Sequence, residues 1–228
     1  MLDAYERALS CDPVSAFGGI VAFNKEIGVD VAEKLNELFL EIVCAPAYSA
    51  KALELLKTKK NRRLLLIKKF PGKDEPMIKS IPGGLLVQDK DNSSVDELEF
   101  KLVTNRKYSE EELDDLKFAW IICKHTKSNA IVYVKDKKAI GVGAGQMSRV
   151  DSAKIAATKA QQFGHDLTNA VAASDAYFPF ADGLLEIISH GIKVVVQPGG
   201  SVRDDEVIAA ANDKNITMVF TGIRNFKH

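Results

Sequence analysis

Between Lys124 and Ala153 the chain reads KHTKSNAIVYVKDKKAIGVGAGQMSRVDSA, an apolar strand bracketed by polar residues that no hydrophobic core requires. Ser128 and Asn129 open it; Gly141, Gly143 and Gly145 close it; Gln146, Ser148 and Arg149 follow at once. The chemistry such a set can perform is the binding of a small anion or a polar carbonyl compound. Glycines allow positive φ or close backbone approach, a turn entering a helix offers unpaired N–H groups, and an arginine adds a fork that grips carboxylate or phosphate through two bonds. The spacing is G-x-G-x-G, so it departs from the dinucleotide pattern G-x-G-x-x-G at Gln146, and no Walker lysine follows. The same residues also describe a tight turn with Arg149 on a solvated surface, and spacing alone does not choose between the two.

Three further segments carry residues of this kind. Phe17-Gly18-Gly19 enters a strand, either as a tight turn or as backbone brought against a ligand. Ser174-Asp175-Ala176-Tyr177-Phe178-Pro179-Phe180-Ala181-Asp182 sets three aromatics around a proline between two carboxylates. It reads as buried packing or as a lip for a planar heterocycle, with Asp182 accepting bonds from ring N–H groups. Gln197-Pro198-Gly199-Gly200-Ser201 joins a strand end to a helix that Ser201 would cap, with Asp204 as the acid at its third position. Strand end, Gly-Gly turn and helix start coincide where open α/β sheets bind ligands. The charges Arg203, Asp204, Asp205 and Glu206 read as a solvated face, and the terminal Arg224-Asn225-Phe226-Lys227-His228 as a frayed basic tail.

These segments need a scaffold, and the pattern supplies α/β alternation. Helices are expected at Leu2–Ser10, at Val31–Val43 with Leu35, Leu38, Phe39 and Ile42 on one stripe, and at Ala50–Leu56. Strands are expected at Ile20–Phe23, Leu64–Ile67, Gly83–Gln88 and Phe100–Thr104. Ser109 and Glu112 form a capping box for a helix reaching Cys123. Ala130–Val134 and Ala139–Val142 make a hairpin turning at Asp136, Lys137 and Lys138, followed by a helix over Ser152–Gln162. Strands at Val171–Ser174, Ile192–Val196 and Thr217–Phe220 alternate with helices starting near Leu184 and Ser201. The charged stretch Lys68–Ser80, with Pro71, Gly72 and Pro76, is the expected boundary or long connection.

With 228 residues the chain can form one large domain or two small ones. Its 31 basic and 31 acidic residues cancel, so no global field attracts nucleic acid or an anionic membrane. Cys11, Cys44 and Cys123 are odd in number and widely spaced, which argues against a disulfide framework or structural zinc and for a reducing, cytoplasmic setting. No apolar run has membrane-spanning length. The chain opens inside a helix, which reads as a truncation.

Six ordered motifs carry a resemblance: SAFGG at Ser15–Gly19, KSNAIVY at Lys127–Tyr133, GAGQMSR at Gly143–Arg149, SDAYFPFAD at Ser174–Asp182, QPGGSVRDDEVI at Gln197–Ile208, and the terminal R-x-F-x-H. Over essentially its whole length the chain resembles the transformylase domain of the bifunctional purine-biosynthesis enzymes that join AICAR formyltransferase to IMP cyclohydrolase. The resemblance implies formyl transfer from the co-substrate 10-formyltetrahydrofolate to the 5-amino group of AICAR, without a metal. It implies an α/β fold of two cytidine-deaminase-like units, the first incomplete over residues 1–67, a connecting segment over 68–108 and the second unit over 109–228. It also implies a homodimer with active sites at the interface.

By the same resemblance Gly18 gives a backbone contact to the nucleotide, Asn129 stands close to the amine and formyl group, and Arg149 and Arg224 bind the nucleotide. Tyr177 lies beside the carboxamide ring; Phe178, Pro179, Phe180 and Asp182 form the folate lip, with Gly200 and Ser201 nearby. Phe226 and His228 lie near the reaction centre, with Asn129 and His228 as the catalytic candidates. The family's catalytic V-K-H-x-N-P-C-G motif does not occur in the 228 residues. Lys124-His125 belongs to a different motif, where relatives carry an aromatic residue after the lysine, and His125 is expected to pack or line the pocket in its place. Ala47 stands where some relatives place a ribose-holding aspartate. A zinc deaminase would need H-x-E and P-C-x-x-C, and neither occurs.

Overall fold

In the computed structural model, residues 1–68 and 75–227 are described. Pro71 and Gly72 of the expected connection, and His228, lie outside them. The chain divides into two compact units, Met1–Asn92 and Ser93–His228.

The first unit alternates helices α1 (Leu2–Leu9), α2 (Val29–Asn36) and α3 (Ala50–Lys57) with strands β1 (Gly19–Ala22), β2 (Leu40–Ala45) and β3 (Arg63–Leu66). The strands form a parallel sheet in the order β1-β2-β3. Ile27, Val31, Leu35, Leu40, Val43 and Leu56 are its buried centre. The single helix expected over Val31–Val43 is two elements, α2 and β2. A run of apolar residues satisfies both helical and extended patterns when short, and here the helix ends where Arg62 takes its terminal carbonyls. Arg62 Nη2 donates to Leu35 O at 3.0 Å and Leu38 O at 3.3 Å. Strands β4 (Met77–Ile81) and β5 (Gly84–Gln88) pair as an antiparallel hairpin. Part of the stretch expected to be irregular is thus a strand, and Met77, Ile78, Ile81, Leu85, Leu86 and Val87 on the hairpin are exposed.

The second unit is a mixed six-stranded sheet in the order β6-β11-β10-β9-β7-β8, formed by β6 (Lys101–Leu102), β7 (Ile131–Lys135), β8 (Lys138–Gly143), β9 (Val171–Ser174), β10 (Val194–Gln197) and β11 (Thr217–Phe220). Strands β9, β10 and β11 run parallel, while β7 and β8 are antiparallel to their neighbours. Period-two alternation divides the core between the faces. Ile131, Tyr133, Ala172, Val195 and Met218 pack with helices α5 (Arg149–Gln162), α6 (Ala181–Ser189) and α7 (Asp204–Asp213). Val132, Val134, Val171, Ala173, Val194, Val196 and Val219 pack under α4 (Glu110–His125). The capping box of Ser109 and Glu112 opens α4 as expected.

The expected hairpin turn is present: Asp136 and Lys137 both have positive φ, 53° and 54°. Two long-range bonds secure it, the Asp115 carboxylate accepting the N–H of Asp136 at 2.8 Å and of Lys137 at 2.6 Å. Of the glycines that follow, Gly141 and Gly143 serve packing: a Cβ on either would collide with a backbone carbonyl of α5, that of Ala156 or of Ser152. Gly145 alone, at φ 67° with open space beside it, has the freedom assigned to the whole run.

Candidate active site at one edge of the second sheet

Topology gathers the second unit's motifs at one edge. The carboxyl ends of β9, β10 and β11 release Ser174–Asp182, Gln197–Ser201 and Thr221–Lys227, and antiparallel pairing brings the start of β7 and the end of β8 to the same side. This is where open α/β sheets present ligands. Hydrogen bonds tie the segments together. Gly145 N donates to Lys127 O at 2.8 Å, Asn225 N to Asp175 O at 3.0 Å, Thr221 N to Gln197 O at 3.0 Å, and Gly222 N to Pro198 O at 2.9 Å. Ser128 N donates to Lys227 O at 3.0 Å and Lys227 N to Ser128 Oγ at 2.9 Å. The segment expected to fray is therefore fastened to the residue before Asn129.

Asn129 is half-buried, and the peptide bond preceding it is cis. Its Nδ2 donates to the carbonyls of Gln146 at 2.9 Å and Met147 at 3.1 Å. Both amide protons are thereby committed to shaping the loop, and Oδ1 is the atom left to meet a ligand.

Arg149 is the first residue of α5 and is not on a solvated surface: its side chain is 15% exposed, and Nη2 lies 3.5 Å from Oδ1 of Asp175, which is 0% exposed. The helix start itself is filled from within. Ser148 caps it, its Oγ accepting from Asp151 N at 3.1 Å and donating to Asp151 Oδ2 at 2.8 Å. The positive pole of α5 is thus already met by an acid, so at this helix start the positive charge that remains available is that of the Arg149 side chain. Burial, and next the Asp175 carboxylate, push the buried Cys123 thiol up from its ordinary value.

The aromatic motif divides in two. Phe178 is 0% exposed in the core, with its N–H donated to the buried Gln197 Oε1 at 3.0 Å. The ring expected on the folate lip is thus packed in the core beneath the exposed part of the motif. Pro179, Phe180 and Asp182 are exposed, Phe180 at 48%. Asp182 Oδ1 accepts from Gly183 N at 2.7 Å. The Arg203 guanidinium stacks on Phe180 at 4.6 Å, and that of Arg224 on Tyr177 at 4.6 Å. Ser201 does not cap α7. The helix starts at Asp204, Ser201 Oγ accepts from Arg203 N at 3.2 Å, and Gly200 N donates to Asp204 Oδ2 at 2.7 Å. Gly199 and Gly200, at φ 71° and 90°, make that turn, and Phe226 is exposed beside the tail bonds.

Lys124 points elsewhere: its Nζ donates to Ser93 O at 2.7 Å and Oγ at 3.1 Å. His125 is exposed at the end of α4. In the first unit Gly18 has φ 74° and spends its N–H on Phe39 O at 2.8 Å, leaving its carbonyl. Ala47 O accepts from Ile27 N at 3.0 Å. An open cavity of about 360 Å³ in that unit is lined by Asn36, Phe39, Lys59 and Arg62, among others, and Arg62 is occupied there as a helix cap. Among the described residues no group of three or more His, Cys, Asp or Glu could hold a metal ion, and no helix is long and apolar enough to cross a membrane.

The profile of the AICARFT/IMPCHase bienzyme family matches residues 1–159. The chain belongs to the AICARFT/IMPCHase bienzyme family. The bifunctional purine biosynthesis protein PurH of Chlorobium phaeobacteroides is 54% identical over 228 residues, all of this chain and 43% of that protein. Those of Chlorobaculum parvum and Parvibaculum lavamentivorans are 53% and 51% identical, again over the whole chain and 44% of each relative. The chain spans less than half the length of these curated relatives. Sequence reasoning passed over Asp175 and Gln197 as site residues. The available signal was their position: Gln197 ends the otherwise apolar β10, and Asp175 directly follows β9.

Proposed function

We propose that the chain carries part of an AICAR formyltransferase of purine biosynthesis, accepting the formyl group of 10-formyltetrahydrofolate on the 5-amino group of AICAR. The observation that supports this most is the convergence of Asn129, Arg149, Tyr177 with Arg224, Phe226 and the exposed Phe180–Asp182 lip on one sheet edge. In this reading Arg149 and Arg224 hold the nucleotide's anionic and carboxamide groups. Phe180 and the free Asp182 oxygen take the pterin face and edge. Asn129 acts through Oδ1, accepting an N–H of the AICAR amine, because its own N–H groups are spent on Gln146 and Met147. The structure thereby favours a role at the amine over donation to the formyl oxygen.

The amine of AICAR is a weak nucleophile because its lone pair is delocalised. Its nitrogen bonds to the formyl carbon as the bond to the folate nitrogen breaks; a base removes the amine proton and the leaving nitrogen is protonated. An acceptor on the amine raises its nucleophilicity as that proton departs. The 228 residues hold no V-K-H-x-N-P-C-G motif, so in this reading the chain alone binds its ligands but transfers the formyl group poorly. The two cytidine-deaminase-like units and the homodimer, with sites completed at its interface, are part of the same reading. The exposed apolar hairpin of β4 and β5 supports such burial in an assembly.

Calorimetric titration of the chain with AICAR and with a folate analogue, alongside tetrahydrofolate release, tests the proposal. Binding of both with little turnover is expected. A folded dimer that binds neither would replace this reading with that of a non-catalytic assembly fragment, and vigorous turnover would refute the catalytic deficit.

A further inference from the structure

A fully buried carboxylate is unfavourable unless its oxygens are satisfied, and an apolar residue in its place commonly packs as well or better. Asp175 is 0% exposed, yet among the described residues its side chain has a single hydrogen-bond partner, Nη2 of Arg149 at 3.5 Å. Its Oδ2 and the Arg149 Nε are both buried and have no hydrogen-bond partner among those residues. These are not two unrelated defects. Nε and Nη2 form one edge of the guanidinium, and Oδ1 and Oδ2 are the two teeth that match that edge in a side-on pair. The two orphaned atoms are the second bond of a fork whose first bond is already made.

The backbone of Asp175 occupies a corresponding position. Its N–H donates to Ala130 O at 3.3 Å, directly after Asn129, and its carbonyl accepts from Asn225 N at 3.0 Å, between Arg224 and Phe226. One residue therefore touches the segments that bear Asn129, Arg149, Arg224 and Phe226.

We infer that Asp175 is a positioning residue: it holds the Nε–Nη2 edge of Arg149 so that Nη1 is presented to the anionic or carbonyl group of the ligand. This rests on the reading of Arg149 as a ligand-binding residue. The carboxylate fixes the guanidinium plane, and a bound ligand draws the pair from its single 3.5 Å contact into the two-bond form.

The test uses the 228-residue chain labelled with ¹⁵N in its arginines, the Arg149 Nε–H resonance being the one lost in Arg149→Lys. A slowly exchanging Nε–H displaced from the bulk arginine position is expected in the wild-type protein, together with a further shift on AICAR addition. Asp175→Asn, nearly isosteric, is expected to return that resonance to the bulk position and to raise the AICAR dissociation constant about 10-fold or more, while Asp175→Glu restores part of both. A wild-type Arg149 that is free and rapidly exchanging overturns the inference even if no Asp175 variant folds. So does a folded Asp175→Asn protein with unchanged resonance and affinity. A resonance that depends on Asp175 but ignores AICAR supports the positioning and sinks the substrate reading instead.

Discussion

The amide nitrogen of Asn129 bridges the carbonyls of Gln146 and Met147, at 2.9 and 3.1 Å, across the gap between the start of β7 and the end of β8. Asparagine and aspartate are nearly the same shape, but aspartate would set a carboxylate oxygen against two carbonyl oxygens. Asn129→Asp is therefore expected to lower the melting temperature more than Asn129→Ala does, with AICAR binding lost in both. Calorimetric melts of the two variants decide the point, and equal melting temperatures would remove the structural role given to the amide.

The glycines of β8 and the following loop are predicted to differ sharply. A methyl group at Gly143 meets the Ser152 carbonyl of α5, whereas one at Gly145 meets open space and only the strain of φ 67°. Gly143→Ala should destabilise the chain by roughly 1–3 kcal/mol through overpacking, and Gly145→Ala by about 1 kcal/mol. Because Arg149 opens α5, Gly143→Ala should weaken AICAR binding as well. Urea unfolding of both variants checks the order.

Two aromatics of one motif should separate stability from binding. Phe178→Ala empties the core floor and is expected to cost about 3–5 kcal/mol. Phe180→Ala removes a half-exposed ring under Arg203 and should change stability by about 1 kcal/mol or less, while sharply reducing affinity for a folate analogue. Folate binding that survives in Phe180→Ala would take that ring out of the site.

The Asp166 carboxyl is held down to about 2, from an ordinary 3.8, first by the Thr168 backbone N–H and then by the Lys135 ammonium. A depressed acid stabilises the fold above its unfolded value and loses that contribution as pH falls through its folded one. The stability difference between wild type and Asp166→Asn should thus be constant at neutral pH and vanish as pH falls from about 4 to about 2. A gap that instead widens on acidification would contradict the assignment. Thermal melts across that range measure it.

Much of this was legible because it is local. The capping box at Ser109 and Glu112, the apolar strands Val171–Ser174 and Thr217–Phe220, and the turn at Asp136 follow from residue types within a few positions. The misreadings have long-range causes. Nothing near Asn36 announces that Arg62 will end α2 from 26 positions away. Gly141 and Gly143 look like ligand-facing glycines until α5 is laid across them. Phe178 and Phe180 are two residues apart in one apolar motif, and only the buried Gln197, 19 positions past Phe178, shows which of them turns inward. Asp175 was visible as a residue but not as a partner, since Arg149 lies on a different element 26 positions away.

The bonds between Ser128 and Lys227 join residues 99 positions apart. Closing so long a loop carries an entropic penalty. The ligand-facing edge is therefore expected to assemble late in the second unit and its amides to open before those of the central strands, an order that hydrogen exchange measures.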